Sequence, residues 1–379
     1  MQNRSGFYRH NLTGKMEYKS FCPAPLPPTP DIEMDNELIE LLVKANKAIS
    51  LLNGIAENIP NINIFISQYI RKEALMSSQI EGTQATLEDI LDPMVHENAN
   101  VEVGEVINYI KATEVALQKL NTLPLCNRFI KDIHVILMQG ARGENKEPGE
   151  FRRSQNWIGG EGSTIQNARY IPPNIADMTV SLTDLENFIN NYDGYDQLIK
   201  VALIHYQFET IHPFLDGNGR VGRLLVILYL LQTKVLFTPA IYISYFLKKN
   251  RIEYYDRLNE VRTKGDYEQW LKFFLLAVIE STEDSIEKIK ILSSLIEKDK
   301  EEIKEQTTGA SIKKTYNYLL SNPIIEIQKT ATDLDITFKT ISTCVSTLCE
   351  IGILKEISGK KRYRIFAYKA YLDILKDGT

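Results

Sequence analysis

Residues 212–223 read HPFLDGNGRVGR. Pro213 ends the helical pattern before this stretch, and the apolar run LLVILYLLQ continues as a helix after it. The stretch is therefore predicted to be a loop that enters the first turn of a helix. Gly217 and Gly219 allow successive backbone N–H groups to point into one concavity, where the helix dipole favours an anion. The pattern predicts a phosphate site.

Charged side chains of the same stretch supply the rest of such a site. Arg220 and Arg223 stand three residues apart on one side of the helix, so both can bind phosphate oxygens. Asp216 suits a hard cation such as Mg²⁺. His212 suits removal of a proton from an attacking hydroxyl. The chain contains no G-x-x-x-x-G-K-[ST] sequence, which excludes a P-loop enzyme.

Two other interpretations of the stretch stay open at this point. It could be a purely structural turn between two helices. Alternatively, His205, Glu209 and His212, which are spaced four and three residues apart along a helix, could be zinc ligands. The zinc interpretation leaves the Gly-Asn-Gly turn and both arginines without a role.

Composition places the chain among ordinary globular proteins. Its 379 residues are 44% hydrophobic and 25% charged, and allow two or three domains. We see no apolar run that is long enough for a membrane span and no secretory signal. The four cysteines show no metal spacing, so we expect reduced thiols in the cytoplasm. The net charge is −5, yet residues 310–379 carry 11 Lys and Arg against 7 Asp and Glu.

Helical periodicity dominates the chain and predicts a mainly α fold. Residues 1–60 contain a Pro-rich arm, FCPAPLPPTP, followed by the first helical region. Residues 61–280 form the main helical core, interrupted at 148–173 by paired glycines that indicate a β-hairpin. Residues 281–309 form an amphipathic connecting helix. Residues 310–379 show three helical patterns and then two short strands around Gly359, the order of a winged helix-turn-helix domain.

The sequence resembles the Fic family. HPFLDGNGRVGR matches the family signature H-x-F-x-[DE]-G-N-G-R-x-x-R at every fixed position, and SSQIEG at 77–82 resembles its inhibitory motif [ST]-x-x-x-E-[GN]. QNWIGG and RYIPP resemble the two arms of the family's flap, and YYDRL at 254–258 resembles the segment that contacts adenine and ribose. The likeness covers about residues 60–280, and the fold that it implies is a Fic-type helical bundle with a β-hairpin flap.

The resemblance implies a protein adenylyltransferase, which moves AMP from ATP to a Tyr, Ser or Thr hydroxyl. His212 would be the base, Asp216 would hold Mg²⁺, and Phe214 would anchor the loop in the core. The remaining ATP contacts would come from the glycine turn, both arginines, the tyrosine pair and the inhibitory glutamate: Gly217, Asn218, Gly219, Arg220, Arg223, Tyr254, Tyr255 and Glu81. The flap residues Ile158, Gly159 and Gly160 would bind the target.

Two positions bear on the choice of donor. Related kinases of the family have Lys in place of the second glycine, so Gly219 argues for transfer of AMP and against transfer of the γ-phosphate. Position 262 is Arg where some relatives have Asn, which puts the base and ribose contacts in question.

The same resemblance implies autoinhibition by Ser77, Glu81 and Gly82. Gly82 would end the inhibitory helix, and Glu81 would pair with Arg223 and remove a ligand of the γ-phosphate. Whether Glu81 also supports removal of AMP is not decided by the sequence.

The expected partners are ATP, a target protein with an exposed hydroxyl, the chain itself as target, and a second copy of the chain. The alternative function is a nucleotide-sensing DNA-binding regulator. In that case the Fic core would be a ligand domain, and Lys339, Thr340, Ser342 and Thr343 would contact DNA phosphates together with wing residues 360–362 and Arg364. A third interpretation makes the C-terminal domain a module that recruits the modification target.

Overall fold

A computed structural model gives the fold. It describes residues 3–59, 62–95, 100–140, 146–160, 162–307, 309–359 and 363–377. Helices dominate these residues, as the periodicity predicts. Within the described residues, no helix combines the length and the apolar character that a membrane crossing requires.

The N-terminal segment is a β-hairpin, which the sequence analysis did not predict. Strands β1 (Gly6–Asn11) and β2 (Tyr18–Pro23) pair antiparallel in a register from Gly6↔Pro23 to Asn11↔Tyr18. Phe21 of β2 is fully buried, and its N–H donates to the carbonyl oxygen of Ile171 at 2.9 Å. The Pro-rich arm FCPAPLPPTP at residues 21–30 thus begins within β2, where Phe21 packs against the body.

The next eleven helices among the described residues, α1 to α11, form the bundle, and two of them form its centre. Helix α7 is buried along almost its whole length, and α8 packs against it. Neither has a polar face, which is typical of a helix surrounded by others. The helices are α1 (Asn36–Asn58), α2 (Ile62–Ile80), α3 (Leu87–Leu91), α4 (Val101–Lys119), α5 (Asn127–Leu137), α6 (Ile175–Asn191), α7 (Gln197–Ile211), α8 (Asn218–Gln232), α9 (Ser244–Lys249), α10 (Arg251–Lys264) and α11 (Tyr267–Gln306).

Helix α11 joins the bundle to the C-terminal residues without interruption. Its 40 residues include the segment predicted as a connecting helix. Its first half buries Trp270, whose indole N–H donates to the carbonyl oxygen of Ala202 on α7 at 2.9 Å. Its second half reaches the C-terminal elements, where the Tyr316 hydroxyl donates to Asp299 at 3.2 Å.

The C-terminal elements follow the predicted order with one correction. They are α12 (Ala310–Ser321), β3 (Ile324–Glu326), α13 (Ile327–Leu334), α14 (Phe338–Glu350), β4 (Lys355–Glu356), β5 (Ile365–Ala367) and α15 (Lys369–Lys376). The strands form an antiparallel sheet in the order β3-β5-β4. The start of the predicted second helix is instead strand β3, whose three residues are all buried. The winged-helix assignment stays a prediction, and its wing residues Lys360, Lys361 and Arg362 lie outside the described residues.

The predicted flap hairpin is reduced to one bridge. Ile158 and Tyr170 pair antiparallel, with N–H to oxygen distances of 2.8 and 3.1 Å. Among the described residues between them, Gly162 and residues 165–167 lie in turns, which glycine and polar residues favour. The flap is thus a loop that is closed at its base.

Candidate active site

His212 ends α7 in a left-handed conformation, with φ 50° and ψ 60°. Its N–H still donates to the carbonyl oxygen of Phe208 at 3.0 Å, and Pro213 then prevents the helix from continuing. A non-glycine residue in this conformation is uncommon, and functional sites are where such strain is tolerated. The change of direction brings the imidazole to the wall of a cavity.

The loop after His212 is closed by the side chain of Asn218. Its Oδ1 accepts the N–H of Phe214 at 2.8 Å, and its Nδ2 donates to the carbonyl oxygen of Phe214 at 2.9 Å. Phe214 is fully buried and stacks on His134 with 3.7 Å between ring centroids. Asn218 therefore shapes the loop with its side chain, which leaves its backbone for the predicted anion contact.

His134 and Arg152, which the sequence analysis did not single out, fix the loop from outside. His134 Nδ1 accepts the N–H of Gly149 at 2.9 Å, so Nε2 donates to the carbonyl oxygen of Asp216 at 3.0 Å. Burial lowers the pKa of His134 to about 4. The buried Arg152 donates from Nε to the carbonyl oxygen of His212 at 3.0 Å. Both side chains bind backbone carbonyls, so the loop shape does not depend on a ligand.

Helix α8 begins at this loop, with Gly217 in the left-handed region at φ 78°. The first N–H groups of a helix have no partner within it, so they are available to an anion. Arg220 is buried, lies 3.6 Å from Asp216 Oδ1, and its Nε has no hydrogen-bond partner among the described residues. This end of the helix thus presents a buried positive charge together with backbone donors.

Ser77 and Glu81, which the resemblance implies to be inhibitory, lie at the end of α2 and contact Arg223. Arg223 Nη2 donates to Glu81 Oε1 at 2.7 Å and to the carbonyl oxygen of Ser77 at 2.9 Å, while its Nε donates to Ser77 Oγ at 2.8 Å. Burial opposes ionisation of Glu81, but the Arg223 charge outweighs it and lowers the pKa of that carboxyl. Gly82 then ends the helix with φ 102°. These bonds engage Nε and Nη2 of Arg223 with the end of α2.

Gly219 lets Glu81 approach the helix. A Cβ atom at position 219 would lie 2.3 Å from Glu81 Oε1 and 2.9 Å from Arg223 Nη1. The carboxylate therefore lies directly over the first turn of α8.

A cavity of about 540 Å³ connects these groups with helix α10 and the flap. The predicted residues that line it are Glu81, Ile158, Gly159, Gly160, His212, Gly219, Arg223 and Tyr255. Further lining residues include Glu209, which the sequence analysis weighed only as a zinc ligand, and Arg169, Tyr170, Arg251, Ile252, Leu258, Asn259 and Arg262. Glu209 stands one helical turn before His212 on α7.

Tyr254 does not reach the cavity, unlike its neighbour Tyr255. It is fully buried, and its hydroxyl lies 2.9 Å from His205 Nε2. The other ring nitrogen of His205 lies 2.9 Å from the carbonyl oxygen of Gly222. Both nitrogens of His205 are therefore engaged within the core, which contradicts its role as a zinc ligand, and the described residues contain no cluster of His, Cys, Asp and Glu that could hold a metal.

His212 is prepared to accept a proton. Its Nδ1 lies 3.4 Å from the carbonyl oxygen of Glu209, which can only accept, so Nδ1 carries the hydrogen and Nε2 is left as the base. Burial, with help from the Arg152 charge, lowers the pKa of His212 to about 4. The imidazole is therefore neutral at physiological pH.

We expect the ring of His212 to stay neutral as the pH falls from 8 to 5.5, because its lowered pKa leaves it unprotonated throughout this range. An ordinary histidine would be half protonated near pH 6.5. NMR spectra of ring-labelled protein, with His212 assigned from a His212→Gln variant, measure this directly. A midpoint near 6.5 for that signal would contradict the assigned environment.

Comparison with known proteins agrees with this geometry. Residues 39–118 match the model of the Fic/DOC family N-terminal region, and residues 124–230 match that of the Fic/DOC family. The chain is 30% identical over 178 residues to the protein adenylyltransferase Fic of Aedes aegypti, and 33% identical over 129 residues to that of Drosophila mojavensis. These stretches are 46% and 34% of this chain, but only 31% and 22% of those proteins.

The overall fold has a solved counterpart. The crystal structure of a Fic family protein from Desulfovibrio desulfuricans G20 superimposes with a TM-score of 0.58 at 18% identity. The match covers 89% of this chain and 97% of that one. At this identity the likeness concerns the fold alone.

Proposed function

Since the chain belongs to the Fic/DOC family, we propose that it is a protein adenylyltransferase that moves AMP from ATP to a hydroxyl of a target protein or of itself. The chain spans less than a third of the curated relatives that carry this name, so the activity is inferred here from the site. The observation that carries the proposal is a neutral His212 beside a phosphate cradle whose outer arginine is held by Glu81.

In the proposed reaction the target hydroxyl oxygen attacks the α-phosphorus of ATP. A new bond forms between that oxygen and phosphorus, the bond from phosphorus to the bridging oxygen breaks, and pyrophosphate leaves. The hydroxyl proton passes to Nε2 of His212. Backbone N–H groups of residues 217–219, with Arg220 and Arg223, stabilise the phosphate charges, and such preorganised donors are the usual source of catalysis in phosphoryl-type transfer.

Asp216 fits a magnesium ion. Its carboxylate is half-exposed at 42%, accepts the N–H of Gly217 at 2.6 Å, and stands at the N-terminus of α8 beside the phosphate cradle. A hard carboxylate oxygen next to phosphates is the usual protein ligand of Mg²⁺. The ion would neutralise phosphate charge when it is bound.

The flap supports the proposal of a protein target. Ile158 is tied to Tyr170, and the adjacent Gly159 and Gly160 border the cavity that His212 faces. Glycines let an extended segment come close to the flap backbone. We assign the target segment to this edge, where its hydroxyl would be directed at His212.

Glu81 is the brake in this proposal. In the observed arrangement its carboxylate occupies both Arg223 and the space above Gly219, so a triphosphate cannot use them at the same time. ATP would have to displace a charge-assisted hydrogen bond to a buried guanidinium. The resting chain is therefore proposed to be weakly active.

We expect Glu81→Gly to raise transfer of α-labelled AMP at least tenfold, since it frees Arg223 for phosphate, and Glu81→Gly/His212→Ala to abolish it. These factors are order-of-magnitude values for the loss of one charged hydrogen bond and of a catalytic base. Parallel reactions with α-labelled and γ-labelled ATP and Mg²⁺ measure the transfer.

The pair of labels separates the possible outcomes. Label from the γ-position would identify a kinase. Label from neither position in the Glu81→Gly variant would contradict AMP transfer and favour the nucleotide-sensing regulator. Unchanged α-labelling in Glu81→Gly would remove the brake from the proposal and leave the transfer in place.

The C-terminal domain is proposed to bind DNA through α14. Lys339 and Thr343 are exposed on that helix, with Thr340 and Ser342 half-buried beside them. Arg364, which directly precedes β5, is already paired with Glu356 at 2.5 Å. Its positive charge is therefore partly neutralised within the protein, and it would contribute less to DNA binding than an unpaired arginine. The excess of 11 basic over 7 acidic residues in this region supports contact with phosphates.

If this proposal is correct, a generic 20-base-pair duplex should bind, and its affinity should fall steeply with salt because bound cations are released from DNA. Lys339→Ala should weaken binding and reduce the salt slope by about 1. Fluorescence anisotropy over a salt series measures both, with Lys298→Ala on α11 as control. Absence of binding at low salt would leave the domain as a protein-docking module.

All four cysteines, Cys22, Cys126, Cys344 and Cys349, are free thiols. Three of them have a pKa that burial raises, so they are poor thiolates. Unreactive free thiols support the proposal that the protein works in a reducing cytoplasm.

A further inference from the structure

Glu209 is a buried carboxyl that the proposed mechanism does not use. It stands on the last turn of α7, is 7% exposed, and lines the same cavity as His212 and Arg223. Its Oε1 has no hydrogen-bond partner among the described residues. A buried carboxyl oxygen without a donor is costly and rare, so its presence calls for a specific reason.

The packing around Glu209 makes room for this carboxyl. A Cβ atom at Gly222 on α8 would lie 2.3 Å from Glu209 Oε1. The glycine thus lets Oε1 lie against α8, next to Arg223, so Oε2 is the carboxyl oxygen that a ligand in the cavity could reach. Burial raises its pKa to about 7, with Glu81 adding to the increase and Arg223 and Arg262 opposing it.

The position of Glu209 indicates which part of a nucleotide it would meet. Phosphates belong at the N-terminus of α8, by Gly219 and Arg223, whereas the far wall of the cavity is helix α10, with Tyr255 and Leu258. The charge of Glu209 acts on the pKa of both Arg223 and Tyr255, so Glu209 lies close to both ends. A carboxylate there repels phosphate, so its natural partner is a neutral donor such as a sugar hydroxyl.

We propose that Glu209 is a specificity residue that accepts a hydrogen bond from a ribose hydroxyl of the bound nucleoside triphosphate. This rests on the proposed function for the identity of the ligand. Carboxylates recognise ribose hydroxyls in the same manner in dinucleotide-binding folds. A site built around such a donor discriminates against an analogue that lacks it, because the buried acceptor is left unpaired.

The test is calorimetric binding, so that it does not require turnover. Kd values of ATP, 2′-deoxyATP and 3′-deoxyATP are measured in a Glu81→Gly/His212→Ala background, which is free of the brake and of the base. We expect ATP to bind about tenfold tighter than at least one deoxy analogue, and Glu209→Ala to reduce this ratio to about twofold by weakening ATP. Glu302→Ala, a surface substitution on α11, is the matched control.

Glu209→Gln keeps the shape and an acceptor oxygen, so it should retain part of the discrimination and shows whether the site still folds. Equal affinity for all three nucleotides in the parent, or full discrimination retained in Glu209→Ala, would overturn the assignment. Failure of AMP transfer would be seen separately, in the labelling experiment. The affinities would still be interpretable, because they are measured without turnover.

A second and independent observation concerns helix α2, which carries the brake. Its middle turns donate into the C-terminal domain. Gln68 Nε2 lies 3.1 Å from the carbonyl oxygen of Leu320, and Arg71 Nη1 lies 2.6 Å from that of Ser321. These are the last carbonyls of α12, which lack partners within their own helix. One turn of α2 therefore caps the first helix of the C-terminal domain.

The end of the domain reaches the same helix. Lys72 Nζ donates to the carbonyl oxygen of Asp377 at 2.8 Å, and Lys72 itself is 2% exposed. Lys376 forms an ion pair with Glu88 on α3, the short helix that follows the inhibitory motif. Helix α2 is thus held at its middle by the C-terminal domain and at its end by Arg223.

We infer that the C-terminal domain holds the brake closed, and that displacing this domain, by a ligand or partner, moves α2 and withdraws Glu81 from Arg223. This also rests on the proposed function. Ten residues, nearly three helical turns, separate Arg71 from Glu81, which directly follows the end of α2, so a shift at one end is transmitted through hydrogen-bonded backbone. Such coupling requires an element with two arrangements whose balance both sites can shift, and α2 is contacted at both places.

Gln68→Ala/Arg71→Ala tests the coupling in the full chain. We expect ATP affinity and AMP transfer to rise about threefold to thirtyfold, which is the usual effect of substituting residues that couple two sites. The same pair of substitutions in a Glu81→Gly background should change neither quantity. Arg364→Ala, an arginine of the same domain that does not contact α2, is the matched control.

Unchanged ATP affinity in the folded double variant would overturn the inference. An equal rise in the Glu81→Gly background would also overturn it, because the effect would then bypass the brake. Loss of ATP binding in that background would instead show that α2 no longer folds correctly. Arg71→Lys, which keeps a donor at this position, would then replace the double variant, and the same ATP affinity would be measured with and without Glu81→Gly. Absence of AMP transfer leaves the affinity measurement valid.

Discussion

The buried guanidinium of Arg223 is the group on which the site depends. At 1% exposure, its charge has to be matched by acceptors within hydrogen-bond reach, because an unpaired buried charge is not tolerated. The chain supplies these acceptors from α2, through Ser77 and Glu81. Since α2 is also tied to α12 and to Asp377, the requirement of one side chain links the cavity to the far end of the molecule.

The same requirement explains why exchange of ligands is built into this position. A triphosphate offers oxygens of the same charge and geometry as the Glu81 carboxylate, so Arg223 stays satisfied in either state. Ser77 also accepts from Arg223, so the guanidinium would keep partners while Glu81 is replaced. Under the proposed function the exchange would then cost little stability, and the contacts of α2 would set the balance between the two occupants.

How far the sequence predicts this structure depends on how local each feature is. His212, Gly217 and Arg223 lie within twelve residues, and their spacing alone indicates a phosphate site. Ser77 and Glu81 required a family resemblance, since a glutamate at a helix end is ordinary by itself. His134 and Arg152 bind backbone carbonyls up to 82 residues away, and such contacts leave no pattern in the sequence. Tyr254 and Tyr255 are neighbours on a helix, about 100° apart, so the sequence could not decide which one faces the cavity.

The uninterrupted helix α11 carries a constraint of its own. Each residue of a helix adds about 1.5 Å and a rotation of about 100°, so the orientation of everything beyond Gln306 is set by the number of residues in α11. Its solvent-facing Glu and Lys residues can vary with little effect, but adding or deleting a single one would turn the C-terminal domain away from α2. The number of residues in α11, rather than the identity of its exposed side chains, therefore fixes this arrangement.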